Sequence, residues 1–344
     1  MELFTITDLK REAQKDRVEA KIHAQIESLN KKETRDAKPF YEITLADAQA
    51  KLTLRAWSDS PNFAQCSELA VADFVEVAGD FTHNANFGTE AKKWTLRYLN
   101  DDERDALLAG SPELRARQDA DFAFIRDSVA NVADPRLRAL GEIFLADFGD
   151  RFRRAAAARN NHHARRGGLV EHVSQMMRAA LALCGVYSQL NSDLLVAGVL
   201  FHDCGKLWEN SLPEDGFAMP FDERGELLGH ISIGVELVNT LWRKLLAGDS
   251  AKAWTAMQPA SEDVRLHLLH LVAAHHGELQ FGSPAVPKTP EAQALHYIDN
   301  LDAKMEMFAQ AYATSKPLAA RIQERVWPLP GNIVAQLPVF IPQK

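Results

Sequence analysis

The chain has 344 residues, 46% of them hydrophobic and 25% charged, which is the composition of a globular protein long enough to build two cores. Its net charge of −8 excludes a protein that coats nucleic acid over its whole surface, though not a local basic track, because binding follows the field in one groove. Three cysteines, Cys66, Cys184 and Cys204, form no CxxC pair and leave an odd count, so they read as reduced, buried thiols and not as a disulfide framework.

The amino terminus, MELFTITDLKREAQKDR, carries charges where a signal peptide needs an apolar run. The longest apolar stretch, 194–201, is far below the ~20 residues that span a bilayer. The expectation is a cytoplasmic protein with no membrane partner. Val18, Ala20, Ile22, Ala24 and Ile26 alternate with polar residues, as do Tyr41, Ile43 and Leu45. Leu52, Leu54 and Ala56 repeat the pattern after the turn-like Asp47-Ala48-Gln49-Ala50. Phe74, Val75, Val77 and Ala78 form a more continuous apolar strand ended by Gly79-Asp80, and Trp94, Leu96 and Tyr98 alternate again. Short strands of period two with turn signals between them predict a small barrel or sandwich.

From Asp101 the sequence becomes rich in Ala, Leu, Arg and Glu at helical spacing. Gly110-Ser111-Pro112 and Asp134-Pro135 mark helix starts, since proline suits the first turn. The domain junction is placed near 100–112, followed by a helical connector. Pro328, Pro330, Pro338 and Pro342, set among apolar residues, predict an extended tail packed on the body.

The helical half holds nearly all the informative histidines. After Gly167-Gly168, the residues Leu169, Val173, Met176, Met177, Ala180, Leu181 and Cys184 define an amphipathic helix, with His172 beside its apolar face. The helix over 193–203 is apolar almost all round, yet ends in His202-Asp203, followed by Gly205 as a helix stop and by Lys206. Charges at the end of a buried helix need partners or a metal. His230 closes GELLGH, the helix over 263–276 ends in His275-His276-Gly277, and a helix from Glu291 carries His296, Asp299, Asn300 and Asp302. Imidazoles and carboxylates on facing helices are how helical bundles build dinuclear metal sites. A His/Asp set without thiolate suits Mn²⁺, Fe²⁺, Co²⁺ or Mg²⁺ better than a structural zinc. An aspartate can bridge two such ions, which activate water against a phosphoryl group.

The order His172, His202-Asp203, Asp299 resembles the signature of the HD-domain metal-dependent phosphohydrolases. The longer runs NNHHARRGGLVEH, LLVAGVLFHDCGK, GELLGH, AAHHGELQFGSP and ALHYIDNLDAK are similar to one branch, the YhaM-type 3′→5′ exoribonucleases. The resemblance implies a multidomain α+β chain, with an N-terminal small β-barrel of OB-fold type followed by an all-α HD-domain helical bundle. The expected division is 1–103 for the nucleic-acid-binding OB-fold, 104–155 for the connector, 156–315 for the HD domain and 316–344 for the tail. One departure is Ala48-Gln49-Ala50, where such barrels usually carry a glycine. By position, the resemblance implies that His172, His202, Asp203 and Asp299 hold a first metal. Asp203 bridges to a second, completed by His230 and by His275 or His276, with His275 favoured and His276 a neighbour in reach of substrate. Lys206 then neutralises the scissile phosphate. The cofactor call is two divalent ions, Mn²⁺ first, with Co²⁺, Fe²⁺ or Mg²⁺ as alternatives.

Other features have two readings each. Residues 151–166 contain Arg151, Arg153, Arg154, Arg159, Arg165 and Arg166 without an acidic residue, which is either a solvated helix face or a strip that tracks phosphates. Arg165 and Arg166, abutting the site, lean to the second. His162 and His163 contact a phosphate or base, or cap and pack. Phe40, Tyr41, Trp57, Phe87 and Trp94 offer stacking platforms for single-stranded bases, or fill the barrel core. Lys31, Lys32, Arg35 and Lys38 sit in a loop where such barrels meet nucleic acid, or are simply solvated. Trp208, Trp242 and Trp254 read as packing residues.

Three functions compete on these residues. The leading one is a metal-dependent 3′→5′ exoribonuclease that releases 5′-nucleotides from single-stranded RNA, with single-stranded DNA as a further substrate and a homo-oligomer as the assembly implied by analogy. The second keeps the metals but acts on small nucleotides or a cyclic dinucleotide, with the barrel used for oligomerisation. The third is a catalytically dead nucleic-acid-binding protein, against which the full ligand set argues.

Overall fold

The structure, a computed structural model, describes residues 1–84, 88–248 and 251–340. The alternating segments form strands β1 (Glu2–Phe4), β2 (Val18–Glu33), β3 (Pro39–Ala46), β4 (Lys51–Trp57), β5 (Phe74–Asn84) and β6 (Gly88–Tyr98), with helix α1 (Ile6–Lys15) after β1 and α2 (Asn62–Cys66) between β4 and β5. The sheet runs β4-β3-β2-β5-β6, with β1 parallel to the start of β2 and the other pairs antiparallel. The period-two pattern does what it predicts: Ala20, Ile22, Ala24 and Ile26 point to one side and bury with Ile43, Leu45, Leu52, Leu54, Val75 and Val77, under Ile6 and Leu9 of α1.

The pairing shows the expected antiparallel strands but not their closure into a small barrel. Among the described residues no ladder joins the edge strands β4 and β6, and a groove of about 550 Å³ lies between them, lined by Arg55, Trp57, Lys92 and Trp94 among others. The turn that lacks a glycine is held by Asp47 instead. Its Oδ1 accepts from the backbone N–H of Gln49 and Ala50, both at 2.8 Å, and its Oδ2 accepts from Ile6 N–H at 2.7 Å. An aspartate that bonds the backbone two and three residues on makes a turn without needing positive φ.

The helices are α3 (Asp101–Ala109), α4 (Pro112–Ala130), α5 (Pro135–Arg154), α6 (Gly168–Val186), α7 (Ser192–Phe201), α8 (Lys206–Glu209), α9 (Glu223–Leu246), α10 (Ala251–Trp254), α11 (Ser261–Ala274) and α12 (Pro290–Thr314). Their starts are those the sequence marks: Ser111 caps α4 and Asp134 caps α5, each with proline in the first turn. The helical connector needs correction, however. Ile125, Val129, Leu140, Phe144 and Phe152 of α4 and α5 share one core with Leu169, Val173, Phe201, Leu268 and Leu295, so these helices belong to the body. Only α3, which buries nothing, behaves as a connector.

The tail is also more structured than expected. Strands β7 (Pro317–Ala319), β8 (Ile322–Gln323) and β9 (Ile333–Val334) form a small antiparallel sheet, and Leu329 and Ile333 pack on Ala311 of α12. Pro342 lies outside the described residues. The two halves meet where Gln25 Oε1 accepts from the N–H groups of Phe217 (2.6 Å) and Ala218 (3.0 Å), beside an apolar joint of Ala46, Ala48, Leu114 and Phe217. Among the described residues, no helix is long and apolar enough to cross a membrane.

Candidate metal centre

Close backbone contacts assemble the site. A Cβ on Gly168 would lie 2.0 Å from His163 O, so the preceding loop folds tightly onto the start of α6 and seals His172 inside, fully buried. Helix α7, apolar on every side, delivers His202 and Asp203 into the interior. A Cβ on Gly205 would lie 1.9 Å from His230 O, and this approach sets His230 against Asp203. Gly229 (φ 67°) kinks α9 just before His230, a conformation that favours glycine. His275 and His276 follow the end of α11, and α12 brings Asp299 and Asp302 from the opposite side.

The side chains then converge. His172 Nε2 lies 3.3 Å from both His202 Nε2 and Asp299 Oδ1 and 3.8 Å from Asp203 Oδ2. Asp203 Oδ1 lies 3.5 Å from His230 Nε2 and 3.6 Å from His275 Nε2. Each ring is fixed through its other nitrogen. His202 Nδ1 donates to Val199 O at 2.9 Å, His275 Nδ1 to Val272 O at 2.7 Å and His276 Nδ1 to Phe281 O at 2.8 Å. His172 Nδ1 donates to Asp302 at 2.7 Å and His230 Nδ1 to Glu209 at 2.8 Å. With Nδ1 committed as donor, the Nε2 lone pairs face inward, the arrangement that metal-ligating histidines require.

Of the four groups among the described residues that could hold an ion, two adjoin one another at the end of α7: His172, His202 and Asp203, and His230, His275 and His276. The test of fit is what these atoms lack. Asp203 Oδ1, His230 Nε2 and His275 Nε2 are buried, and among the described residues none has a hydrogen-bond partner. Three polar atoms stranded together in a core are costly, and a divalent cation held there would satisfy all three. The donor set is nitrogen and carboxylate oxygen without sulfur, which fits Mn²⁺, Fe²⁺ or Co²⁺. Both His275 and His276 stand in one group with His230: His275 Nε2 lies 3.6 Å from Asp203 Oδ1, and the ring of the half-buried His276 lies 5.1 Å from that of His230.

The electrostatics suit ligands. Burial opposes the charge on Asp203, but Lys206 Nζ at 2.6 Å and His202 hold its carboxyl well below the usual range. Burial also opposes a proton on His172, yet Asp299 and Asp302 outweigh it and raise the imidazole to about 9. Burial pushes the His275 imidazole down, with Asp203 opposing.

Several residues singled out from sequence have other employment. His163 is wholly buried and hydrogen-bonds Asp302 at 3.0 Å, behind His172, so it is not placed to touch substrate. Arg165 pairs with Glu171 and Glu306, and Arg166 donates to the carbonyls of Pro213, Glu214 and Gly216. Both tie loops together, and the phosphate-strip reading does not carry over to Arg166. Arg151 stacks on Trp208, Arg153 pairs with Asp119, Arg154 pairs with Glu214, and Arg159 donates to backbone carbonyls of Glu209, Met219 and Pro220. His162 stays at the site: its ring lies 5.6 Å from that of His172, its Nδ1 is buried with no hydrogen-bond partner among the described residues, and burial followed by Lys206 lowers it to about 3. In the sheet, Trp94 is core, Tyr41 packs on Phe63, and Phe40 packs on Trp57, whose ring is exposed. Phe87 lies outside the described residues. Trp242 and Trp254 are buried and Trp208 packs edge-to-face with Phe148, all as packing residues.

The sequence reading missed the carboxylates that orient the ligands. Asp302 lies one turn from Asp299 on α12, a spacing that puts both on one face, and that signal was available. Glu209 meets His230 only through the tertiary approach at Gly205, and nothing in the local pattern announces it.

The HD domain family matches residues 169–304, the span that carries His172, His202, Asp203, His230, His275 and Asp299. The chain is 30% identical over 308 residues to the 3′–5′ exoribonuclease YhaM of Geobacillus sp. (strain WCH70), covering 90% of this chain and 89% of that protein. The chain belongs to the YhaM-type family of HD-domain metal-dependent phosphodiesterases.

Proposed function

We propose that the protein is a 3′→5′ exoribonuclease that removes 5′-nucleotides from single-stranded RNA and also accepts single-stranded DNA. The observation that carries the reading is the cluster of stranded ligand atoms, Asp203 Oδ1, His230 Nε2 and His275 Nε2, at the end of a buried helix. The choice of a polymer substrate is supported by the likeness to a 3′–5′ exoribonuclease along nearly the whole chain.

In this reading His172, His202, Asp203 and Asp299 hold one divalent cation, and Asp203, His230 and His275 hold a second, with His276 at the rim. Bound divalent cations, Mn²⁺ foremost, supply Lewis-acid charge and an activated water at such sites. The chain's own contribution is alignment. The backbone carbonyls of Val199 and Val272 and the carboxylates of Asp302 and Glu209 fix the ring orientations, so no reorganisation is needed when charge builds on the phosphate. Lys206 keeps Asp203 ionised and adds positive charge at the same spot. His162, neutral at ordinary pH, stands beside His172 as a contact for the substrate phosphate.

The sheet domain takes the role of strand holder. Its order β4-β3-β2-β5-β6 with a helix between β4 and β5 supports an OB-type reading, and such folds bind single strands on the face corresponding to β3 and β4. Exposed Trp57 lies there as a stacking surface.

The test is a metal screen with 3′-labelled and 5′-labelled single-stranded RNA, single-stranded DNA, nucleotides and a cyclic dinucleotide side by side. Labelled mononucleotide at the earliest times from the 3′-labelled strand alone is the expected result. Hydrolysis of the small nucleotides with strands untouched would sink the proposal.

A further inference from the structure

A second groove, of about 870 Å³, runs between the two halves, walled by α1, the turn at Gln49–Lys51, the loop 159–165, the end of α12 and the segment Val326–Leu329. It differs from the groove between β4 and β6 and from the metal centre, and the reading above gives it no role.

Its charge is one-sided. Lys10, Arg11, Lys51, Arg117, Arg159 and Arg165 line it, and no lining residue is acidic, in a chain whose net charge is −8. Most of these cations have partners behind the wall: Asp8 and Glu12 for Arg11, Glu27 for Lys51, Glu171 for Arg117 and Arg165, and backbone carbonyls for Arg159. Lys10 is the exception. It is half-buried, and among the described residues no hydrogen bond or ion pair engages its amine. The carboxylate that acts on it is Asp47, whose oxygens already serve the N–H groups of Ile6, Gln49 and Ala50. Burial pushes the Lys10 amine down, with Asp47 opposing, so the wall holds a cation short of an anion.

Two further features specify the anion. Trp327 also lines the groove, with 76% of its surface exposed, and a tryptophan in the open is a stacking surface for a base. The far wall, Asn160, Asn161, Ala164 and Arg165, belongs to the loop that carries His162 against His172. The wall of the groove and the approach to the metal centre are thus formed by one loop. Phosphates spaced along a chain, with bases free to stack, match basic walls and an exposed indole.

We infer that this groove is a binding track for the single-stranded nucleic acid upstream of the cleaved bond, with Lys10 and Lys51 on phosphates and Trp327 under a base. The inference rests on the exonuclease reading and adds to it a site made jointly by both halves of the chain and its C-terminal segment.

The test uses full-length Lys10→Glu and Trp327→Ala proteins, with a single-stranded oligoribonucleotide and bis(p-nitrophenyl) phosphate as paired substrates. Neither residue belongs to the metal centre, and Trp327 is too exposed for its loss to unfold the protein. For the oligonucleotide, KM should rise on the order of tenfold in each variant while kcat holds. In Lys10→Glu the slope of log kcat/KM against log salt should flatten by about 0.7, the value for one phosphate contact on a single strand. Hydrolysis of the small ester should stay at the wild-type rate. Unchanged KM in both variants, or a loss matched on the small ester, overturns the track while leaving the exonuclease reading intact. A wild-type protein that cuts the ester but no strand overturns that reading instead, and the track with it.

Discussion

Asp203 sends its two oxygens into different company. Oδ2 is held by Lys206 at 2.6 Å, whereas Oδ1 faces His230 and His275 with no proton to share. No neutral side chain can serve both groups at once, so Asp203→Ala should abolish hydrolysis and remove bound metal, and metal analysis beside an activity assay checks both. Retention of turnover would exclude a bridging role. Asp302 acts one step back, fixing His172 and His163 through a single oxygen, Oδ2. Asp302→Asn keeps the shape but weakens that shared acceptor, and outer partners of this kind are worth about 10–100-fold in metal affinity or activity. A metal titration should show that loss with the fold, read by circular dichroism, unchanged.

At the scale of elements, Glu171 ties the start of α6 to its surroundings. It is 2% exposed and accepts from Arg117, Gln118 and Arg165. Burial opposes its charge, but His163 and Arg165 hold the carboxyl far below the ordinary range. Glu171→Ala leaves half-buried Arg165 with Glu306 alone, removes a buried charge partner and should destabilise the protein by about 3–5 kcal/mol, seen as a lower Tm. A carboxylate depressed in the folded state stabilises above its unfolded pKa and loses that contribution as pH falls. The Tm gap between wild type and variant should therefore be full at neutral pH and shrink once pH drops below about 4.3. A gap that is independent of pH would mean that packing, not charge, supplies the effect.

This scale also separates what the sequence makes legible from what it hides. Helices α6 and α7 are plain because their apolar residues are dense and regular. Helix α4 buries only Leu114, Ile125 and Val129 among nineteen residues, too sparse a stripe to distinguish a body helix from a connector. Strands β7, β8 and β9 are two or three residues long, below the length at which alternation can be seen. Of the candidate ligands, His202 and Asp203 stand out as costly residues at the end of an apolar run, whereas His172, His230, His275 and Asp299 stand out only through the order of motifs that the resemblance supplies. Their supports stand out less still, since Glu209 and Glu171 look like solvated charges until the chain folds.

Across the whole molecule the joint at Gln25 matters most. This side chain is 3% exposed and bonds the backbone of Phe217 and Ala218 from the helical half as well as Ala72 O from its own. Gly216 leaves room for it, since a Cβ there would come within 2.9 Å of its amide. Gln25→Ala strands two N–H groups and a carbonyl, at about 1–3 kcal/mol for each buried group left unmade, and frees the sheet domain to shift against the helices. The metal centre lies wholly within the helical half, so hydrolysis of a small phosphodiester should persist. The basic groove takes walls from both halves, so cleavage of long strands should fall several-fold more than cleavage of the small ester. Thermal unfolding and the two-substrate assay, run on the same preparation, check this. Equal losses on both substrates would show that the joint serves only to keep the chain folded, and would remove the reason for coupling a sheet domain to an enclosed metal site.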